Sequence, residues 1–490
     1  MKRRLQKAGI ILSILLVILA TGYFAGTWYL KQKNEDTKQT TAQADGQKAE
    51  ADKEQEAGAR SDLQTEYDTI LEKCQKEFIS NRPIDENFLA WFHSKYGDET
   101  LKKVADEVEK ENQDPNIWYT LTGNTMQVLW VYYCQDTGYQ SELLENIYDK
   151  ECAGEETVLD FTGDINLSEG WSTTVFMDRQ PDGIYDCLSS DLMLELQSAD
   201  ILLINNEFTY SNRGTPLAGK AYTFRAAPSR VEVLQQLGAD IVSLANNHVY
   251  DYGEEALLDT MDTLEQAQIP YVGAGRNLEE AEKIVYFIAN GRKIAIVAAT
   301  QIERSYSYTK EATKDSPGVL KTLKPDKFTE VIRKAKSNSD IVIAYPHWGT
   351  EGNHSYGADQ KELAEAFVSA GADVIIGGHT HCLQGVAYIE DVPVLYSLGN
   401  FCFGGNRNPK DKDTAIYEQT FTFVDGVLQT DISADMIPCS ISSTSERNNF
   451  QPAIAKGDRK QTIIDHMNEY SEKYSKIGFD ANGRVIIREE

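Results

Sequence analysis

VLDFTGDIN, residues 158–166, is a short apolar run that ends in glycine, aspartate and asparagine. Similar runs recur along the chain, and amphipathic helical stretches separate them. The runs occupy Val158–Gly163, Ile201–Ile204, Ile241–Ala245, Ile294–Ala299, Ile341–Tyr345, Val374–Ile376 and Val394–Ser397. Short apolar runs that alternate with helical stretches are typical of an α/β domain, so we predict one from Thr157 onward.

Polar residues follow five of these runs, at the point where each strand is expected to end. The five groups are Gly163-Asp164-Ile165-Asn166, Asn205-Asn206-Glu207, Asn246-Asn247-His248, His347-Trp348-Gly349-Thr350-Glu351 and Gly378-His379-Thr380-His381. Ligands of open α/β sheets bind outside the carboxyl ends of the strands. We therefore expect these side chains to converge on one site.

The residue types in these groups are those that bind divalent metal ions. Carboxylate and amide oxygens together with imidazole nitrogens suit Mn, Fe or Zn, and four of the seven histidines fall within the groups. Each group alone has a structural alternative: Asp164 could cap a helix, Asn247 and His248 could be turn residues, and Glu207 could be a surface carboxylate. Their joint placement at strand ends favours a metal centre.

At these residues the sequence resembles the calcineurin-like metallophosphoesterase superfamily, and more closely its CapA branch of capsule or poly-γ-glutamate biosynthesis proteins. A further matching motif is Ser397-Leu398-Gly399-Asn400-Phe401, and the resemblance covers about Thr157 to Phe403. It implies a metallophosphoesterase-like layered α/β sandwich. The superfamily usually has Asp-x-His and a bridging Asp where this chain has Asp164-x-Asn166 and Glu207.

The resemblance also implies roles for the residues of the motifs. Glu207 would bridge two divalent ions, His248 would be the catalytic general acid or a stabiliser of developing charge, and Glu351 would orient a ligand. Two such ions activate a water molecule and hold both the attacking and the leaving oxygen. One ion would be held by Asp164 and His381, with Asn166 as an additional candidate, and the other by Asn247, His347 and His379.

One further candidate comes from the residues themselves. Arg225, in Tyr222-Thr223-Phe224-Arg225, could bind an anionic substrate, because a planar guanidinium matches phosphate or carboxylate. A structural salt bridge is the alternative interpretation.

The N-terminal region predicts a membrane anchor. Ala8–Leu30 contains no charged residue and is long enough for a transmembrane helix, while residues 1–7 contain four basic residues and are predicted to be cytoplasmic. This orientation would place the main domain outside the cell membrane. A cleaved signal peptide is the alternative. Residues 31–60 lack aliphatic and aromatic side chains other than alanine and predict a flexible linker.

The rest of the chain is divided by composition. Residues 61–150 have apolar and aromatic positions at helical spacing, which predicts a helical module with an aromatic core. Residues 157–440 are predicted to form the α/β domain, and residues 441–490 a charged, partly helical tail. The seven cysteines form no C-x-x-C pair, so a thiolate metal site has little support.

The formal net charge of -28 excludes nucleic acid as a partner, because the summed field repels polyanions. We expect a membrane-anchored protein of capsule or poly-γ-glutamate synthesis or export that binds or hydrolyses an anionic polymer or a phosphoester. Subunits of a polymer synthase or exporter would be further partners. A hydrolase of other envelope substrates and a non-catalytic scaffold for the synthase are the alternatives.

Overall fold

The computed structural model describes residues 63–73, 84–110, 112, 114, 116–139, 144–152, 154–305, 307–403, 406–424, 427–428, 434–472 and 477–487. Thr69–Glu490 forms one compact unit. The predicted transmembrane segment 8–30 and the linker 31–60 lie outside the described residues. Within the described ranges, no helix has the length and apolar character needed to span a bilayer.

The helices follow one another along the chain, and residues 63–73 are also helical. They are α1 Glu86–Tyr96, α2 Asp98–Val108, α3 Ile117–Thr122, α4 Met126–Thr137, α5 Ser172–Met177, α6 Ser190–Ser198, α7 Val231–Leu237, α8 Glu254–Gln266, α9 Leu278–Ala281, α10 Asp326–Lys336, α11 Ala358–Ser369 and α12 Gly457–Glu472.

The strands are β1 Ile147–Lys150, β2 Glu156–Ile165, β3 Ile201–Asn206, β4 Thr209–Tyr210, β5 Arg225–Ala226, β6 Ile241–Ser243, β7 Tyr271–Val272, β8 Ala274–Gly275, β9 Val285–Ala289, β10 Arg292–Thr300, β11 Gly318–Val319, β12 Ile341–His347, β13 Val374–Ile376, β14 Leu383–Ile389, β15 Val392–Leu398, β16 Asn400–Cys402, β17 Asp413–Val424, β18 Val427–Leu428, β19 Ala434–Ser440, β20 Ala453–Ile454, β21 Ile477–Phe479 and β22 Val485–Ile487.

Two large sheets form the centre of the molecule. The first has the strand order β1-β9-β10-β12-β13-β15-β14, and the second has β20-β19-β17-β2-β3-β6-β7, with β16 added beside β2 and β18 beside β17. In the second sheet β2, β3, β6 and β7 run parallel, and in the first β10, β12, β13 and β15 do so. All seven predicted apolar runs are strands of these two sheets.

The core lies between the sheets. Phe161 and Leu203 of the second sheet pack in one buried cluster with Ile296, Ile343 and Ile376 of the first. Neighbouring residues on the same strands point to the opposite faces and pack under helices: α6, α7 and α8 cover the second sheet, and α10 and α11 cover the first. The strands are therefore buried on both faces, which is why they are continuous apolar runs. The result is a layered α/β sandwich.

The compact unit extends beyond 157–440 at both ends. β1, within the stretch expected to be a helical module, pairs in parallel with β9 of the first sheet. The helices before it enclose the expected aromatic core, in which Phe88, Phe92 and Trp130 are buried. At the other end α12 buries Ile463 in the central core, because one face of this charged helix is apolar.

Candidate metal centre

The two sheets meet at the carboxyl ends of their parallel strands. Asp164 of β2 lies beside Asn205 of β3, and His347, the last residue of β12, lies beside Gly378 after β13. The Asp164 carboxylate accepts a hydrogen bond from the backbone N–H of His379 at 3.2 Å, which joins the second sheet to the first. The predicted convergence of strand ends therefore occurs, but between two sheets instead of along one.

The loop after β13 approaches the opposite sheet very closely. A Cβ atom on Gly378 would lie 3.0 Å from Asp164 Oδ1 and 3.0 Å from the Tyr345 hydroxyl, so any other residue would require these groups to shift. The next residues, His379 and His381, have φ angles of 94° and 55°, which few residues other than glycine adopt. Such strain is concentrated at functional sites.

Asp164 is the centre of one half of the cluster. It is fully buried, accepts a hydrogen bond from Asn205 Nδ2 at 2.7 Å, and lies 3.3 Å from His381 Nδ1. Burial acts to raise the pKa of Asp164, but hydrogen bonding and charge from His381 outweigh it, and the pKa is below its usual value. This half of the cluster therefore contains a carboxylate in its ionised form.

His347 is the centre of the other half. Its Nε2 lies 2.8 Å from Asn247 Oδ1 and 3.5 Å from Glu207 Oε1. The His347 and His379 rings are 4.8 Å apart between centroids. Burial lowers the pKa of His347 to about 3 and that of His379 well below its usual value, so both rings are neutral. Neutral imidazole is the form that binds a metal ion.

Buried atoms without partners provide a test of whether these residues fit a metal ion. Glu207 is fully buried, and no hydrogen-bond donor among the described residues reaches either of its carboxylate oxygens. Within the same part of the chain His379 Nδ1 has no partner either. Ligand atoms of Glu207, His379 and His381 all lie within 4.8 Å of one another. Since a buried carboxylate without a partner is costly, this donor set fits a divalent cation.

His248 stands beside the cluster in a hydrogen-bonded chain of its own. Its Nδ1 lies 2.7 Å from Asp251 Oδ2, and Asp251 Oδ1 accepts a hydrogen bond from Lys220 Nζ at 2.6 Å. The His248 ring packs on Phe224 with centroids 4.3 Å apart. Burial lowers the pKa of His248, although Asp251 acts in the opposite direction. A ring held through Nδ1 leaves Nε2 for proton transfer.

The remaining predicted residues are placed differently. Asn166 is buried, but its Oδ1 accepts the backbone N–H of Ser168 at 2.9 Å, so this oxygen serves the chain's own turn. Glu351 is exposed and lines a cavity next to His381. Arg225 donates to the carbonyl of Arg213 at 2.9 Å and stacks on Tyr252, contacts that belong to the local loop instead of to the cluster.

Four residues of the site were given no individual role from the sequence. Asn205 donates to Asp164 and lies 3.4 Å from His347 Nδ1, so it connects the two halves. Asn246 donates to Asn205 Oδ1 at 3.1 Å. Asp251 and Lys220 hold His248. Asp251 lies three residues after His248, and this short spacing could have identified it as a partner of the histidine. Lys220 could not be identified in this way, because it comes from a loop distant in the sequence.

Comparison with known proteins relates this chain to capsule synthesis proteins. A profile of the family described as "Bacterial capsule synthesis protein PGA_cap" matches residues 158–405. The chain is 31% identical to "Capsule biosynthesis protein CapA" of Bacillus anthracis, over 55% of this chain and 65% of that protein. It is 35% identical to "PGA biosynthesis protein CapA" of Bacillus subtilis (strain 168), over 40% of this chain and 51% of that protein. The match thus spans less than two thirds of either relative.

Solved structures are more distant. A hypothetical protein from Thermus thermophilus matches with 13% identity over 58% of this chain and 99% of its own, at a TM-score of 0.34. A 5'-nucleotidase from Candida albicans matches with 12% identity over 66% of this chain and 59% of its own, at a TM-score of 0.31. These scores are too low to carry an argument.

The family profile contains the whole cluster from Asp164 to His381, and it confirms the CapA-type resemblance. Because the match takes in just over half of the 490 residues, the chain belongs to the bacterial capsule synthesis protein PGA_cap family.

Proposed function

We propose that this protein is a membrane-anchored component of capsule or poly-γ-glutamate synthesis or export, in which a two-metal centre hydrolyses a bond in an anionic polymer. The printed names of the Bacillus relatives support the biological role. The uncharged segment Ala8–Leu30 supports the anchor. The metal centre is essential to the proposed chemistry, because a chain with a net charge of -28 needs local positive charge to bind an anion.

The observation that carries the proposal is the Glu207 carboxylate, which is fully buried and has no hydrogen-bond donor among the described residues. It stands between His347, at 3.5 Å, and the Asp164 half of the cluster. A buried polar group without a hydrogen-bond partner costs about 1–3 kcal/mol, so a carboxyl group left unpartnered at this position points to a cation as its partner.

The residues would hold two ions, with Glu207 as a candidate ligand of both. Asp164 and His381 would hold the first, and Asn247, His347 and His379 the second. Mn, Fe or Zn supplies Lewis-acid catalysis and activates water in such a site. Asn205 fixes the orientation of Asp164, and Asp251 fixes the orientation of His248. The imidazolium form of His248, which Asp251 stabilises through Nδ1, would donate a proton through Nε2 to the leaving group.

Metal content tests the centre directly. The full-length protein, purified in detergent and supplied with Mn, Fe or Zn, should contain close to two ions per chain by elemental analysis. His379→Ala should lose at least one of them. His93→Ala is the matched control, because His93 lies on α1 and pairs with Asp98. Unchanged metal content in His379→Ala would refute the assignment.

Substrate and catalysis are tested separately. The metal-loaded protein should hydrolyse a member of a panel of phosphoesters and γ-glutamyl oligomers, and His248→Ala should abolish that activity while it keeps the ions. In a producing strain, deletion should abolish surface polymer and the wild-type chain should restore it. Restoration by both His248→Ala and His379→Ala would instead identify a scaffold for the synthase.

A further inference from the structure

A cleft leads away from the metal centre. A cavity of about 750 Å³ begins at Glu351, His381 and Phe403 and extends to a wall that contains His466 and Tyr470 of α12. A second cavity of about 700 Å³ continues from it, and the two share Pro409, Lys410, Asp411 and His466 in their linings. We name the two together the C-terminal cleft. It is much longer than a single phosphate or carboxylate group requires.

The wall of this cleft is built by residues that the family profile does not match. The profile ends at residue 405, whereas the loop 406–413, residues 440–448 and α12 all lie beyond it. The Tyr470 ring stacks on His354, with centroids 4.5 Å apart, and lies 5.9 Å from His466. Residues outside the shared domain therefore shape the space beside the metal ligands.

One cation of the cleft is free to bind an anion. Asp413 is paired with Arg459 and lies 2.7 Å from His466 Nδ1, while Asp411 lies 3.6 Å from His354 Nε2. Lys412 donates to the carbonyls of Ser445 and Glu446. Lys410 lines both cavities, is exposed, and has no ion pair or hydrogen bond to any described residue. Its ammonium is therefore available to a ligand.

Two carboxylates oppose this charge. Glu351 is exposed and lies at the end of the cleft next to the metal ligands. Bound divalent ions would more than compensate for it there. The distal cavity contains an opposing carboxylate as well, because Glu446 is exposed on its lining and pairs with no described cation, so an anionic group is favoured there only where it contacts Lys410 directly.

We propose that the C-terminal cleft binds the continuing chain of a linear oligoanion, whose reacting group lies at the metal ions. The ligand carries several carboxylate or phosphate groups in sequence, and Lys410 contacts one that lies away from the ions. This inference rests on the proposed function, since it assumes that the cluster engages one group of the same chain.

The test measures affinity against chain length. Oligo-γ-glutamates of two, six and ten residues, and polyphosphates of matched length, are titrated into the full-length, Mn-loaded protein by calorimetry. We expect affinity to rise at least tenfold from two to six units in one of the two series. Lys410→Gln should weaken binding of the six-unit chain about three- to fivefold and leave binding of the two-unit chain unchanged. The series that shows the gain identifies carboxylate or phosphate as the recognised group.

Lys456→Gln is the matched control, because Lys456 pairs with Asp191 outside the cleft. Tyr470→Leu, which keeps an apolar side chain, should reduce the length dependence as well. Affinity that does not increase with length in either series would overturn the inference and leave the metal centre intact. Metal-independent binding that still increases with length and depends on Lys410 would support the cleft but refute the proposed function. Absence of binding in both series would overturn both.

Discussion

Replacing Glu207 with glutamine changes the charge of the buried carboxyl group and almost nothing else. The side chain is fully buried, and neither oxygen has a donor among the described residues. Burial, followed by the charge of Asp164, raises the pKa of Glu207 well above its usual value. Without metal the group is therefore close to neutral, and a neutral amide of the same size should leave the free energy of unfolding within about 1 kcal/mol of wild type.

With metal the two proteins should differ strongly. An ion at one hundred times its dissociation constant stabilises the wild type by about 2.7 kcal/mol. If loss of the bridging ligand weakens the site about a hundredfold, the same ion concentration stabilises Glu207→Gln by only about 0.4 kcal/mol. The gap of about 2.3 kcal/mol would appear in urea denaturation followed by circular dichroism, with EDTA in one series and Mn²⁺ in the other.

A matched control separates this effect from a general loss of acidic charge. Glu232→Gln, on the exposed face of α7, should respond to Mn²⁺ as the wild type does. If Glu207→Gln retains the full stabilisation by Mn²⁺, Glu207 is not a ligand. If none of Mn²⁺, Fe²⁺ and Zn²⁺ stabilises the wild type, the cluster is not a metal centre.

Three further predictions address the surroundings of the site and the core. Gly163→Ala should lower the urea midpoint, because a Cβ atom there would lie 2.3 Å from the Gly399 carbonyl oxygen; an unchanged midpoint would contradict this close approach. Asp251→Asn should keep the ions but slow hydrolysis about a hundredfold, since it no longer orients His248; loss of metal instead would make Asp251 part of the metal site. Burial, with acidic side chains nearby, raises the pKa of Asp160 to about 8 from 3.8. In the unfolded chain Asp160 ionises at a lower pH than in the native state, so the native state loses stability as pH rises from about 4 to 8. Asp160→Asn should therefore stabilise the fold by about 4 kcal/mol at pH 7 but by less than about 2 kcal/mol at pH 5, as measured by urea unfolding. An equal gain at both pH values would contradict this.

The sequence predicts the parallel strands well because those strands are buried on both faces. Ile201 and Leu203 face the other sheet, while Leu202 and Ile204 face the helices, so the run has no polar interruption. The same feature hides the division into two sheets. β3 and β12 are both continuous apolar runs, and nothing in their composition shows that they belong to opposite sheets.

Strands that alternate polar and apolar residues were not predicted from the sequence. β17 contains Glu418, Gln419 and Thr420 among apolar residues and pairs antiparallel with β2, so its pattern does not resemble the buried runs. α12 is also polar on one side, so the charged composition of the C-terminal region did not show that this helix belongs to the α/β domain. Its apolar side is buried only when the helix packs against β14.

The candidate ligands were predictable because they lie at the ends of strands that the sequence predicts. The residues that hydrogen-bond to these ligands were not, because they depend on contacts between segments distant in the sequence. Asn205 was quoted within a motif, but its contacts with Asp164 and His347 exist only after the sheets have packed. Asn166 shows the opposite case. Its position in the motif made it a candidate ligand, and its Oδ1 accepts a hydrogen bond from the backbone N–H of Ser168 in a turn that is local in the sequence.

The protonation states of the cluster connect metal binding to anion binding. His347, with a pKa of about 3, and His379 carry no charge at neutral pH. Burial acts to lower the pKa of His381, but Asp164 raises it above its usual value; the negative charge of Asp164 offsets the charge of a protonated His381, so the cluster has little net positive charge before ions bind. In a chain with a net charge of -28, an anion should therefore bind only after the metal. Coupling of this kind is reciprocal, so an anionic ligand must raise the affinity for the ions by the same factor. Titration of Mn²⁺ with and without phosphate measures that factor, and a value of one would mean that the anion does not bind at the metal ions.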